Sequence, residues 1–178
     1  MTEAADRGSD RPGGFDEEPG PGEFALDSHL FYWMTKVMGR RDRQLADELK
    51  EYGLRVTDWR LLALLKGRGR ASIGEAAADS GVDHTTMSRI ADRMVRDRLL
   101  SKVSDTADMR VTRVALTPKG EELFEDIWPV VARLNSEALA RLPEGSVPLL
   151  CLALGTVCQT MEESWATKVP RKKASGRG

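Results

Sequence analysis

Cysteine, histidine and long apolar runs are scarce in this sequence of 178 residues. Its two cysteines, Cys151 and Cys158, are too few for a disulfide framework or a zinc site built from thiolates. The longest mostly apolar run, Val147 to Cys158, is too short to cross a bilayer, and no signal-peptide pattern is visible. A glycine-rich phosphate loop, a metal-spaced His/Cys set and a Ser/His/Asp constellation are also missing. These absences argue against an enzyme, a cofactor, a metal site and membrane association, and they favour a cytoplasmic protein.

A large net charge is missing as well, because 27 basic residues nearly balance 28 acidic ones. Taken alone, the total of −1 argues against a strongly basic nucleic-acid binder. The charges are unevenly placed, however, since residues 1–24 carry a net charge of −5 and residues 167–178 a net charge of +5. Residues 1–24 hold few large apolar groups and are predicted to be a disordered acidic tail. Residues 167–178 are predicted to be a flexible basic tail, which leaves one ordered domain over 25–166.

The first half of this domain has the apolar spacing of helices. A first helix is predicted from Leu26 to about Tyr52, followed by a glycine suited to a helix end, and a second from about Thr57 to Lys66. A short helix is predicted over Ile73 to Asp79, and a longer one, capped by Asp83, from His84 to about Arg98. A short helix, a turn with glycine and a longer helix make a helix-turn-helix pattern.

A β-hairpin is predicted next, with arms at Leu100 to Ser104 and Arg110 to Leu116. Thr117 and Pro118 then suit the start of a helix that reaches about Arg141, with a kink at Pro129. A last helix is predicted from Ser146 to about Trp165. The predicted fold is mostly α with a small β-hairpin wing. A winged helix-turn-helix lobe occupies residues 57–117, and a helical dimerisation region is formed by 25–53 and 118–166.

These motifs resemble those of the MarR family of bacterial transcription regulators. The stretch from Ile73 to Met94 resembles the family's helix-turn-helix, and Asp108-x-Arg110 followed by Val114-x-Leu116-Thr117-x-x-Gly120 resembles its wing. The resemblance covers about residues 28–165. It implies a homodimer joined by the terminal helices, which binds a pseudo-palindromic operator in double-stranded DNA, represses transcription and is released by a small-molecule effector. The chain departs from the family at Arg55, which shifts the predicted cap of the second helix to Thr57, and at Met109, where a basic residue is common.

The predicted recognition helix presents short polar groups near its start and arginines further on. Small hydrogen-bonding side chains there can approach base edges in the major groove, and arginine can bind guanine or phosphate. On the wing, Arg110 suits the narrow minor groove, and Asp108 is expected to orient an arginine. The predicted DNA-binding residues are therefore His84, Thr85, Thr86, Ser88, Arg89, Arg93, Lys102, Asp108, Arg110 and Arg113. The alternative is a solvated surface on which the arginines pair with Asp92 and Asp97.

The terminal helices carry more large apolar residues than one short bundle can cover. This excess suggests an isologous interface between two copies of the chain. The residues concerned in the last two helices are Val130, Val131, Leu134, Leu139, Leu142, Val147, Leu149, Leu150, Leu152, Leu154 and Val157. The alternative is a monomer with a larger core. The two cysteines are expected to be packing residues in the last helix rather than a redox switch.

The resemblance also implies a pocket for the effector between the dimerisation helices and the DNA-binding lobe. An aromatic wall with a cation suits a planar acid, so an aromatic carboxylate or its thioester is the expected ligand class. The residues predicted to line this pocket are Ser28, His29, Trp33, Arg40, Arg43, Trp59 and Arg60. In the alternative interpretation, the two tryptophans fill the core and the arginines pair with Asp47, Glu48 or Asp58. Two other functions stay open: a winged-helix module for protein assembly, and a DNA-binding regulator that senses no small molecule.

Overall fold

The computed structural model describes Leu26 and residues 29–104 and 112–168. These residues form two compact units, of which the first ends at Val131 and the second begins at Ala132. The described helices are α1 (Leu30–Leu49), α2 (Val56–Arg68), α3 (Ile73–Ser80), α4 (His84–Arg96), α5 (Pro118–Leu139) and α6 (Ser146–Lys168). The three strands are β1 (Arg70–Ser72), β2 (Leu100–Ser104) and β3 (Thr112–Leu116). In the part of the chain that the structure describes, no helix is long and apolar enough to cross a membrane.

Between α1 and α2, the predicted helix end at the glycine agrees with the structure, whereas the predicted N-cap of the second helix does not. α1 begins at Leu30, later than predicted, and continues as a short 3-10 helix over Lys50–Tyr52. It ends at Gly53, whose φ of 66° is the left-handed conformation that glycine adopts without strain. The N-cap of α2 is Arg55 and not Thr57, because Asp58 bonds back to the start of the helix by accepting from the Arg55 N–H at 2.9 Å.

The helix-turn-helix follows the sequence signals closely. Ser72 caps α3 by accepting from the Glu75 N–H, and the Glu75 carboxylate accepts from the Ser72 N–H in return. Asp83 caps α4 as predicted, since its side chain accepts from the Thr86 N–H at 2.9 Å. α4 stops at Arg96, earlier than predicted, because the chain turns through Arg98 with a φ of 61°.

The sheet has three antiparallel strands in the order β1–β3–β2, rather than the two of a simple hairpin. β2 pairs with β3 from Leu100 opposite Leu116 to Ser104 opposite Thr112. The unpredicted strand β1 covers the other edge of β3 and leads directly into α3. The central strand of the sheet, β3, therefore pairs on one side with β1, which leads into α3, and on the other with β2, which follows α4.

The end of α4 and the start of α5 are fastened together. The Thr117 hydroxyl donates to the carbonyl oxygens of Arg98 and Leu99 at 2.6 and 3.1 Å, and the Thr117 N–H donates to the Leu99 carbonyl at 3.0 Å. A Cβ on Gly120 would lie 2.2 Å from that same Leu99 oxygen. Only glycine lets the first turn of α5 approach so closely, and α5 then continues through Pro129 to Leu139.

The core of the first unit is formed by residues of α1 to α4, the sheet and the start of α5. Its fully buried side chains include Leu45, Leu61, Leu62, Met87, Met94 and Val114. Val131, which the sequence suggested for the subunit interface, is buried within the chain. In the second unit, by contrast, no described side chain of α6 is buried, and both cysteines are exposed rather than packed.

Candidate DNA-binding surface

α4 has one apolar and one polar side. Met87, Ile90, Ala91 and Met94 are buried, as their spacing predicts, while Val95 is half-buried. His84, Thr85 and Arg89 are exposed on the other side, and Ser88 is partly exposed. The buried residues fix the rotation of the helix about its axis, so the polar residues of its first two turns are held towards solvent.

Thr86 donates two hydrogen bonds to the N-cap residue of α4, Asp83. Its hydroxyl donates to one oxygen of Asp83 at 2.6 Å, while its N–H donates to the other. These bonds hold the pKa of Asp83 below its ordinary value, with the hydroxyl of Thr86 the largest cause. Thr86 therefore helps to cap the helix, and its hydroxyl oxygen is the part that remains to accept a bond from DNA.

Among the residues that the structure describes, Arg93, unlike Arg89, is paired with a carboxylate of another helix. It forms an ion pair with Asp58 of α2, whose side chain is fully buried. The same carboxylate lies 3.5 Å from the Arg55 Nε and accepts from the Arg55 N–H, so three groups converge on it. A buried carboxylate needs such partners. Asp58 thereby ties α4 to α2, a contact that sequence reasoning missed because it paired the arginines with Asp92 and Asp97.

The other two predicted DNA-binding cations that the structure describes, Lys102 and Arg113, also form ion pairs with carboxylates. Lys102 Nζ lies 2.9 Å from Asp92 of α4, and Arg113 lies 2.8 Å from Glu75 of α3. The pKa of Asp92 is lowered chiefly by the hydrogen bond from Lys102. The pKa of Glu75 is lowered first by the bond from the Ser72 backbone and less by Arg113.

Arg89 is the exception among these cations. It is exposed and forms no ion pair with another residue that the structure describes. The predicted wing residues Asp108 and Arg110 lie outside the described residues, as does Ser28 of the predicted effector pocket. Among the described candidates, Arg89 is thus the charged side chain most available to a nucleic acid.

The predicted effector residues are only partly brought together. A groove of about 340 Å³ lies between α1, α2 and α3 and is lined by Arg41, Trp59, Arg60, Ala63, Leu64, Asp79 and Ser80. Of the described members of the predicted set, Trp59 and Arg60 line this groove, whereas His29, Trp33, Arg40 and Arg43 do not. Arg60 is paired with Asp42 of α1 at 2.7 Å rather than with the acids suggested by the sequence.

Trp59 is mostly a core residue. It is buried and stacks on Phe124 of α5 with ring centroids 5.1 Å apart, and Phe124 stacks in turn on Trp128 at 6.0 Å. Trp33 is half-buried and meets Tyr32 edge to face. The core interpretation therefore describes Trp59 well, although the indole also forms part of the groove wall. In the described part of the chain, no group of three His, Cys, Asp or Glu side chains could hold a metal ion.

Comparison with known proteins agrees with this geometry. The model of the MarR family matches residues 52–110. The HTH-type transcriptional repressor IacR of Pseudomonas putida is 30% identical over 152 residues, which are 85% of this chain and 91% of that one. A crystal structure of a MarR family transcriptional regulator from Silicibacter pomeroyi matches with a TM-score of 0.74 and 25% identity, over 78% of this chain and 93% of that one.

A third match shows the fold alone. The structure of BpsR from Bordetella bronchiseptica has a TM-score of 0.65 and 19% identity, over 77% of this chain and 98% of that one. In BpsR, DNA binding is regulated by 6-hydroxynicotinic acid. The resemblance read from the helix-turn-helix and wing is confirmed, and with it the winged helical fold. The chain belongs to the MarR family and is a transcriptional regulator rather than an enzyme.

Proposed function

We propose that this protein is a repressor that binds a pseudo-palindromic operator as a homodimer, with α4 of each copy in the major groove. The observation that carries the proposal is the exposed polar side of α4, which lies opposite four buried apolar residues. A recognition helix contacts base edges through its N-terminal residues, and here these are short polar groups followed by Arg89, which has no ion-pair partner among the described residues. Such a regulator acts on chromosomal DNA in the cytoplasm.

Arg89 is the side chain on which this proposal is tested most directly. A bidentate arginine contact to guanine is worth about 1–3 kcal/mol of discrimination between bases. Arg89→Ala is therefore expected to weaken binding to a duplex selected by the wild-type protein from a random library by roughly tenfold or more. Arg141→Ala, which removes an exposed arginine from the turn between α5 and α6, is the matched control. Equal operator affinity in both variants would contradict a DNA-reading role for α4.

Exposed apolar side chains on α1 and α6 support the homodimer. Phe31 and Val37 on α1 and Leu149, Leu152 and Trp165 on α6 are all well exposed in the single chain. Large apolar surfaces of this kind mark protein interfaces. Leu152→Glu is expected to convert a dimer into a monomer in sedimentation equilibrium, while Glu162→Gln on the same helix leaves the dimer intact. A wild-type protein that sediments as a monomer at all concentrations would overturn this part of the proposal.

The groove between α1, α2 and α3 supports an effector site for a planar aromatic acid. Arg41 and Arg60 supply positive charge, and Trp59 supplies an aromatic wall. A carboxylate that enters would compete with Asp42 for Arg60. We expect 6-hydroxynicotinic acid or benzoic acid at micromolar to millimolar concentration to release the selected duplex, and Arg60→Gln to abolish that response without changing DNA affinity. If no aromatic acid weakens DNA binding, the protein is a regulator without this kind of sensing.

A further inference from the structure

Asp92 is the only acidic residue in α4, the helix that we propose reads DNA. Its carboxylate is 2.9 Å from Lys102 Nζ of β2, and the two side chains are 47% and 54% exposed. The pKa of Asp92 is held below its ordinary value by Lys102 and, to a smaller extent, by the charge of Arg96. A negative charge is thus maintained at neutral pH within a helix that faces a polyanion.

The surroundings of Asp92 are cationic. Arg89 lies three residues before it and Arg96 four residues after it, spacings that bring side chains to the same side of a helix. Lys102 approaches from β2, at the base of the wing. The Asp92 carboxylate therefore lies beside Lys102 and shares a side of α4 with Arg89 and Arg96, the kinds of side chain that attract phosphate.

The carboxylates that pair with Arg93 and Arg113 also stabilise helix starts, whereas Asp92 does not. Asp58 is fully buried and bonds to the start of α2. Glu75 accepts from the Ser72 N–H at 2.7 Å and so completes the cap of α3. Within the described residues, the only hydrogen bond to the Asp92 carboxylate is the one from Lys102. A half-exposed ion pair of this kind contributes little to folding stability, so stability does not explain its position.

We propose that Asp92 is a specificity-determining residue, which limits sequence-independent DNA binding by holding Lys102 away from phosphate. The inference rests on the proposed DNA-binding role of α4. Non-specific binding is driven by release of counterions, and each cation that neutralises a phosphate steepens the salt dependence by about 0.9. A non-specific complex can adopt whichever pose gains most phosphate contacts, whereas base contacts fix the pose on the operator. Sequestering Lys102 therefore weakens non-specific binding more than operator binding.

Asp92→Asn tests this inference, because it removes the charge and nearly preserves the shape. On a random-sequence duplex of about 30 base pairs, we expect the affinity at about 0.1 M salt to rise three- to eightfold, with a salt slope steeper by about 0.9. The affinity for the duplex selected by the wild-type protein is expected to rise less, so the specificity ratio falls. Asp47→Asn is the matched control, since Asp47 and Lys50 form an exposed pair at 2.7 Å on the end of α1 and the adjoining 3-10 helix. It changes the net charge equally and is expected to leave the slope unaltered.

A second variant tests whether Asp92 acts through Lys102. In a Lys102→Ala background, Asp92→Asn is expected to produce no further steepening of the salt slope. Unchanged affinity and slope in Asp92→Asn, or changes equal to those in Asp47→Asn, would overturn the inference. Selective loss of operator affinity would also overturn it and would identify Asp92 as a base contact, because carboxylates accept from the cytosine amino group. These outcomes are distinct from failure of the proposed function, which Arg89→Ala reports independently.

Discussion

α4 and α6 both carry large apolar side chains, but those of α4 are mostly buried within the chain and those described on α6 are not. α4 buries Met87, Ile90, Ala91 and Met94 within its own chain. α6 is longer, at 23 residues against 13, yet Leu149 and Trp165 are 67% and 71% exposed. The apolar residues of α4 specify the fold of the lobe, whereas those of α6 are available to specify an assembly. The contrast predicts that substitutions in the lobe change the stability of each chain, and that substitutions on α6 change its association.

The largest effect is expected at Asp58, on the α2 side of the lobe. Asp58→Ala removes the partner of Arg93 and the bond to the Arg55 N–H together. Breaking a buried ion pair costs about 3–5 kcal/mol, and we expect about 3 kcal/mol here because Arg93 is partly exposed to water. Urea denaturation at constant protein concentration measures this loss. Asp47→Ala breaks an exposed pair and should cost less than about 1 kcal/mol; equal losses would show that the Asp58 pair is no stronger than a surface one.

Gly120→Ala is expected to have the next largest effect. The added Cβ would lie 2.2 Å from the Leu99 oxygen, so the start of α5 must move away from the end of α4. Overpacking of this kind costs about 1–3 kcal/mol, which a shift of the thermal midpoint would report. Gly67→Ala on α2 is the control, because its Cβ would meet nothing within 4 Å. A midpoint for Gly120→Ala no lower than that of the control would mean that this junction is not tightly packed.

Leu152→Ala is predicted to have a smaller effect of a different kind. The side chain is exposed in the single chain, so its truncation should leave the unfolding free energy of an isolated chain within about 0.5 kcal/mol. The thermal midpoint should instead fall at concentrations at which the wild type is dimeric and depend less steeply on protein concentration, since a weaker dimer contributes less stabilisation by mass action. Melting curves over a hundredfold range of concentration test this. A large loss of stability that is independent of concentration would place Leu152 with the lobe core.

The smallest expected effect is that of pH on the caps and exposed pairs of the lobe. The pKa values of Asp83, Glu75 and Asp92 are lowered in the folded chain, in the first case by the hydrogen bonds from Thr86. Their stabilisation is therefore fully present above the ordinary carboxyl pKa and is lost as the pH falls through the lower folded values. We expect stability to decline only below about pH 4.5 on their account. Asp83→Asn should make that decline shallower in acid unfolding curves; an unchanged decline would exclude Asp83 as a contributor.

Most helix boundaries of the DNA-binding lobe could be predicted from residues close together in the sequence. The features that were missed depend on residues far apart in the sequence. The cap at Asp83 and the end at Gly53 depend on neighbouring residues, so the sequence shows them directly. β1 has only three residues, too few for an alternating pattern to reveal, and it exists because β3 pairs with it. The ion pair between Asp58 and Arg93 joins residues 35 positions apart, and no local spacing encodes it.

The groove that we propose as an effector site shows the same limit. Arg40 and Arg43, which the sequence suggested for an effector pocket, do not line this groove, whereas Arg41 does. Successive residues of a helix point about 100° apart, so a shift of one residue in the phase of α1 exchanges one arginine for another. The apolar pattern of α1 is interrupted by the run from Arg40 to Gln44, which removes the signal that would have fixed this phase.

Thr117 and Gly120, at the start of α5, contact Arg98 and Leu99, which directly follow α4, and this contact has an evolutionary consequence. Because the end of α4 is held directly by the start of α5, the hairpin between them does not have to maintain that junction. Insertions and deletions between β2 and β3 can therefore accumulate among relatives without displacing α4. Positions 97–99 and 117–120, in contrast, are expected to change together or not at all.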